Sequence, residues 1–463
     1  IHWAGDAPPK ALETSGAPQG ALPPSPQAAT PPGYFQPEEA GRAMSGGLIL
    51  AAPASGSGKT TVTLALLRLL ARRGIAVRGA KSGPDYIDPR FHEAACGAPC
   101  VNLDAWAMTP ARLRALSAGD GLLVIEGAMG LFDGAPPDGR GAVADLARHL
   151  ALPVVLVVDA SRMAQSVVPL VKGFAGHDPD VTVAGVILNN VGSERHARLL
   201  RTALGDIPVL GAVHRNPELA LPSRHLGLVQ ATERPDLDLF LERAADILEG
   251  QLDLDALVAL AEPLGPAPKA PRLAPPAQVI AVAHDAAFAF SYPHMLQDWR
   301  AQGAELRFFS PLADEAVPEA GFVFLPGGYP ELHAGRIAAA QTFTQSLRKA
   351  SQASVIYGEC GGYMALGDGL VDADGTRHAM AGLLRLETSF AQRRLHLGYR
   401  RLTAHAGPFQ GPLLAHEFHY ATTIKAAGTA LFSATDAEGT ALGDTGLVAG
   451  RVAGSFAHVI DQA

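Results

Sequence analysis

Lys59 stands within Ala52-Pro-Ala-Ser-Gly-Ser-Gly-Lys-Thr-Thr61, between an apolar run and a helical stretch, the setting a phosphate-binding loop requires. Gly56 and Gly58 let backbone N–H groups converge on phosphate oxygens around Ser57, and the helix start adds its positive dipole. Lys59 then reaches the β- and γ-phosphates, Thr60 is placed to ligate Mg²⁺, and Thr61 continues the cradle. Pro53 takes the place of the first Gly in the usual G-x-x-x-x-G-K-[ST] pattern, so the strand before and the helix after carry part of the argument. ATP with Mg²⁺ is the expected ligand pair.

Two further segments bring carboxylates. Leu122-Leu-Val-Ile-Glu126 is an apolar strand ending in an acid. Ligands of open α/β sheets lie at the carboxyl ends of strands, which places Glu126 to hold Mg²⁺ or orient a nucleophile. Lys81-Ser-Gly-Pro-Asp-Tyr-Ile-Asp88 also follows a strand and gathers Lys81, Asp85 and Asp88, with Asp85 the second expected metal contact. The Asn189-Asn190 pair after the apolar run 183–188 could read an adenine edge or form a turn or cap.

A second chemistry is written in Val355-Ile-Tyr-Gly-Glu-Cys-Gly-Gly-Tyr363, a strand running into a tight turn flanked by glycines. Such a turn holds one side chain strained and exposed at a helix start, where the dipole favours a thiolate. Cys360 is therefore read as a nucleophile, and His458 in Gly454-Ser-Phe-Ala-His458 as its base. Backbone N–H groups near Gly327 and Gly328, in Leu325-Pro-Gly-Gly-Tyr-Pro-Glu331, are placed to form an oxyanion hole.

Two tempting constellations fail. His416-Glu-Phe-His419 resembles a zinc H-E-x-x-H, but Tyr420 stands where the second histidine is required. His92, Cys96 and Cys100 are spaced as on one helical face, yet Pro99 breaks that helix and only three ligands are offered.

The elements that must position these groups follow from the rest of the chain. Its 463 residues suggest two or three domains. Residues 1–43 hold nine prolines and little hydrophobic periodicity, the composition of a disordered tail. From 46 to 262 short apolar runs at 48–52, 75–80, 122–126, 153–158, 183–188 and 207–213 alternate with helical stretches, which predicts βαβ units around a parallel sheet. Six prolines between Pro263 and Pro276 mark a stiff linker over 263–277. A second α/β domain spans 278–463, with strands expected at Val279–Ala283, Glu305–Phe309, Phe322–Leu325 and Val355–Tyr357.

A net charge of −8 gives no electrostatic footprint for nucleic acid or an anionic membrane. Three cysteines cannot build a disulfide framework, so the cytoplasm is the expected compartment.

Taken together, A-x-x-S-G-x-G-K-T-T, K-S-G-P-D-Y-I-D-P, E-G-A-M-G-L-F-D-G, L-P-G-G-Y-P-E, Y-G-E-C-G-G-Y-M, H-E-F-H-Y and S-F-A-H resemble the cobyrinic or hydrogenobyrinic acid a,c-diamide synthases of cobalamin biosynthesis, over roughly residues 46–463. The resemblance implies a dethiobiotin-synthetase-like P-loop domain followed by a class I glutamine amidotransferase domain. It implies ATP-dependent amidation of the corrin a and c acetates through an acyl phosphate, c first, with nitrogen taken from glutamine at Cys360. A homodimer is compatible with it.

By the same resemblance Tyr86, Asp88 and Asp133 are substrate-side residues. Most class I amidotransferases carry a Glu two residues after the catalytic His; Ile460 stands there, leaving Asp461 as a doubtful substitute. The wording of the phosphate loop is similar to aerobic-pathway members, which implies a metal-free hydrogenobyrinic substrate rather than its cobalt form. Rival readings are cobyric acid synthase, the nickel-sirohydrochlorin diamide synthase and a non-catalytic P-loop ATPase switch. That last type carries an extra Lys where Ala54 stands here.

Overall fold

The computed structural model describes residues 45–221, 223–224 and 227–463. The tail read at 1–43 lies outside the described residues.

The first half is built on seven parallel strands: β1 (Gly46–Ala51), β2 (Val77–Ser82), β3 (Val101–Leu103), β4 (Leu122–Glu126), β5 (Val154–Asp159), β6 (Val183–Val191) and β7 (Val209–His214). Their spatial order is β3-β2-β4-β1-β5-β6-β7. Val154–Val158 of β5 are fully buried, as an unbroken aliphatic run must be when helices cover both faces of a sheet. Helix α1 (Lys59–Arg72) packs on α2 (Asp88–Cys96) and on the helix Leu237–Leu248. The register sets Leu50 of β1 and Lys81 of β2 on either side of Glu126, so three strand ends converge beside the loop that follows β1.

Glu262–Pro263 pairs antiparallel with β1, and Leu273 is buried, so the proline-rich stretch is seated on the protein at two points. Beyond it, strands 305–309, 279–283, 322–325, 355–359 and 452–455 lie parallel in that order, with 447–449 antiparallel at the edge. A separate antiparallel sheet of five strands, ordered 441–445, 432–435, 396–404, 412–419 and 457–462, carries the last strand back beside Cys360. The sequence reading did not foresee this sheet. Residues 441–444 of its edge strand are exposed and show no apolar run.

The two halves meet through buried charge. Arg112, on α3 (Pro110–Ser117), donates Nε–H to Asp461 at 2.8 Å and Nη2–H to Asp298. All three side chains are buried. Arg112→Met is expected to leave Asp461 without its cation and Asp298 with Arg272 at 3.6 Å, and to lower unfolding stability by about 3–5 kcal/mol, read by urea denaturation. An unchanged midpoint would show that the cluster is not holding the halves together. Beside it Tyr399 stacks on Trp106 at 4.3 Å and donates its hydroxyl to Asp104 at 3.1 Å.

Candidate active site

The loop between β1 and α1 is held open from beneath. Gly56 and Gly58 adopt φ of 81° and 83°, and a Cβ at Gly58 would fall 2.1 Å from Asn189 Nδ2. The Asn189 amide donates to the Ser57 carbonyl at 2.9 Å, and the Ser57 hydroxyl donates to the Ala54 carbonyl at 2.9 Å. Asn189 thus supports the loop and also lines the cavity beside it. A cavity of about 680 Å³ opens above, lined by Gly56, Lys59, Thr60, Thr61, Asp85 and Glu126 among others.

Lys59 donates to the Met129 carbonyl at 2.6 Å, and burial together with the nearby Lys81 lowers its pKa to about 8. Thr60 Oγ1 and Lys81 Nζ both donate to Glu126 Oε1, at 2.6 and 2.8 Å, while His92 Nε2 meets Oε2 at 2.7 Å. Against the upward push of burial, Lys81 and His92 hold Glu126 well below the usual carboxylate range. Lys81 also grips Asp88 at 2.6 Å, and burial with the neighbouring Asp85 raises Asp88 to about 6. Asp85 accepts the N–H groups of Ile87 and Asp88 at 2.8 and 3.0 Å, which fixes the entry to α2. The hydroxyl of Thr60 and the carboxylates of Glu126 and Asp85 are an all-oxygen donor set on one cavity, the chemistry a hard divalent cation takes.

At the other site the strand 355–359 turns into the helix Gly361–Leu366 through Cys360, whose φ of 46° and ψ of −103° are strained for a residue with a side chain. The glycines permit it: a Cβ at Gly361 would lie 3.0 Å from Gly328 N, and one at Gly362 would lie 1.9 Å from the Leu325 carbonyl. A Cβ at Gly327 would lie 2.3 Å from His458 Cε1 and 3.3 Å from Cys360 Cβ, so thiol and imidazole meet over this glycine. The Gly327 carbonyl is tied down by Phe290 N–H at 2.9 Å.

Burial, reinforced by Glu331 and Glu417, pushes the Cys360 thiol far up, and a six-residue helix does not offset it. The expected exposed thiolate is therefore corrected to a buried, protonated thiol. Burial with His416 and His419 lowers His458 to about 3, leaving the resting ring neutral. Glu359 Oε2 lies 3.6 Å from His458 Nδ1.

Family models match at both sites: a CobQ/CobB/MinD/ParA nucleotide binding domain over residues 48–229 and a CobB/CobQ-like glutamine amidotransferase domain over 279–463. The hydrogenobyrinate a,c-diamide synthase of Brucella anthropi is 55% identical over 433 residues, covering 90% of this chain and 98% of that protein. Proteins of the same name from a Sinorhizobium species and from Rhizobium meliloti are 56% and 55% identical, each match covering 90% of this chain and 99% of the relative. The chain belongs to the hydrogenobyrinate a,c-diamide synthase family.

Within this family member the motif residues divide unevenly. Lys59, Thr60, Asp85 and Glu126 come together on one cavity, and Cys360, His458 and Gly327 on the other site. Asp133 is exposed, its Oδ2 receiving Gly130 N–H at 2.9 Å, and Asp88 is committed to Lys81. Tyr86 does not reach open space: its ring packs on Phe290 at 5.3 Å and on His458 at 4.5 Å, and its oxygen receives the Tyr292 hydroxyl at 2.9 Å. Asp461 is spent on Arg112 and does not replace the missing Glu.

The His92, Cys96 and Cys100 trio resolves into a buttress, with His92 Nδ1 3.5 Å from Cys100 Sγ and Nε2 on Glu126. Among the described residues His396, Glu417 and His419 are close enough to share an ion. Glu417 already accepts from Arg400 at 2.7 Å and meets His419 at 2.9 Å, so its carboxylate is engaged within the protein. The reading missed His92 as the partner of Glu126, and no spacing rule links them across 34 residues.

Proposed function

We propose that this protein amidates the a and c acetate carboxylates of hydrogenobyrinic acid, using ATP and glutamine. The observation that carries the reading is identity above half along nearly the whole chain to proteins of that name.

The two sites suit two halves of one reaction. A carboxylate is a poor electrophile. At the Lys59 cavity its oxygen attacks the γ-phosphorus of ATP and ADP leaves, giving an acyl phosphate. Thr60, Glu126 and Asp85 would hold Mg²⁺ there, which when bound offsets phosphate charge. At the other site Cys360 passes its proton to His458 and attacks the glutamine amide carbon. His458 returns the proton to the leaving nitrogen, releasing ammonia, and water clears the thioester as glutamate. N–H groups near Gly327 and Gly328 suit the transient oxyanion. Ammonia then displaces phosphate from the acyl phosphate.

The deciding experiment supplies purified protein with ATP, glutamine and either hydrogenobyrinic acid or its cobalt-containing counterpart. Mass spectrometry is expected to show a mono- and then a diamide of the metal-free corrin. Turnover of the cobalt form alone would move the assignment to cobyrinic acid, and turnover of neither would end it. As part of this reading the enzyme works in the cytoplasm, which its free thiols suit, and light scattering tests the homodimer.

Lys59 gives a pH prediction. Its cationic form binds phosphate, and in the free enzyme that form is lost above about pH 8. ATP affinity is expected to be flat below that value and to weaken roughly tenfold per pH unit above it, with proton uptake on binding. Calorimetry in buffers of different ionisation enthalpy reads both, and affinity independent of pH would place the lysine off the phosphates.

A further inference from the structure

We propose that Glu359, the residue immediately before the nucleophile, is the third member of the glutaminase triad, a positioning residue that orients His458 and balances its charge. The inference rests on the reading of Cys360 and His458 as a glutaminase pair.

Glu359 ends its strand opposite Ser455, and three residues later the returning chain presents His458. The carboxylate is 1% exposed and holds that return at two points: Oε1 accepts Val459 N–H at 3.0 Å, and Oε2 faces His458 Nδ1 at 3.6 Å. The imidazole is buried, with the Phe290 backbone beside it, and Glu359 is the acidic group that faces its Nδ1. Two other acids of this region are engaged elsewhere: Asp461 by Arg112, Glu417 by Arg400 and His419. Ile460 offers no charge at the position where other class I enzymes place theirs.

When His458 takes the Cys360 proton its ring becomes cationic in a buried site. Burial raises Glu359 to about 8, and a cationic ring at Nδ1 favours its ionised form, so the two charges stabilise each other, as the orienting acid does in other nucleophile–histidine pairs. A purely structural role for Glu359 would be served by accepting Val459 N–H, which a neutral amide oxygen can also do.

Glu359→Gln separates the two. The expected result is a fall in kcat for glutamine-dependent amidation on the order of 10²–10⁴-fold, with KM for glutamine little changed and ammonia-dependent amidation within about twofold. Glu359→Asp is expected to recover part of the glutamine rate. Glutamine turnover close to the unmodified enzyme in the Gln variant overturns the proposal. So does joint loss of the glutamine and ammonia routes, which would make the carboxylate a fold determinant. Glutamine use by Cys360→Ala would instead refute the underlying glutaminase reading.

Discussion

Lys59→Ala is expected to abolish amidation with glutamine and with ammonia alike, lowering kcat/KM by on the order of 10³-fold or more. The ammonium group sits in the phosphate loop, buried, and donates a hydrogen bond to the Met129 carbonyl, a partner that phosphate oxygens can replace. Without it, the charge that builds as the γ-phosphoryl leaves ADP loses the lysine of the loop, and the remaining cavity cation, Lys81, is already bound to Glu126 and Asp88. No acyl phosphate forms, so the source of nitrogen is irrelevant. The measurement is product formation with each donor, backed by nucleotide binding. A Lys59→Ala protein that still amidates from ammonium salts would place activation of the carboxylate elsewhere.

Cys360→Ala is expected to separate the donors. Glutamine-dependent product falls by on the order of 10⁴-fold or more, because removing a covalent nucleophile removes the pathway and not a contact. Ammonia-dependent product remains, since the Lys59 cavity is intact. The substitution removes one sulfur from a turn whose φ of 46° is imposed by the packing of Gly361 and Gly362, so the fold is expected to survive. Loss of both routes in a folded protein would mean that the two sites are not chemically separate.

Both variants rest on residues that were legible in the sequence, for a physical reason. Phosphate loops and nucleophile turns are local devices: strand, glycines and helix start are contiguous, so Lys59 and Cys360 announce themselves within ten residues. Parallel strands such as Val154–Asp159 are equally plain, because burial on both faces leaves an unbroken aliphatic run.

What could not be read is what depends on register. Glu359 stands beside the nucleophile in sequence, yet its relation to His458 exists only because 355–359 pairs with 452–455 and the next residues fold back. His92 reaches Glu126 from a helix packed under β2, and Arg112 finds Asp461 across 349 residues. Tyr86 belongs to a motif whose charged members face the nucleotide cavity, but the tyrosine turns to the imidazole of the other half. The exposed antiparallel strands left no periodic signal.

The protonated state of Cys360 has a consequence for endurance. Peroxides and alkylating agents consume thiolates, and their reach depends on exposure. At 4% exposure and with burial favouring the thiol form, Cys360 is shielded from such reagents in the resting protein. The burial that disfavours ionisation of this thiol is also its protection against oxidative wear.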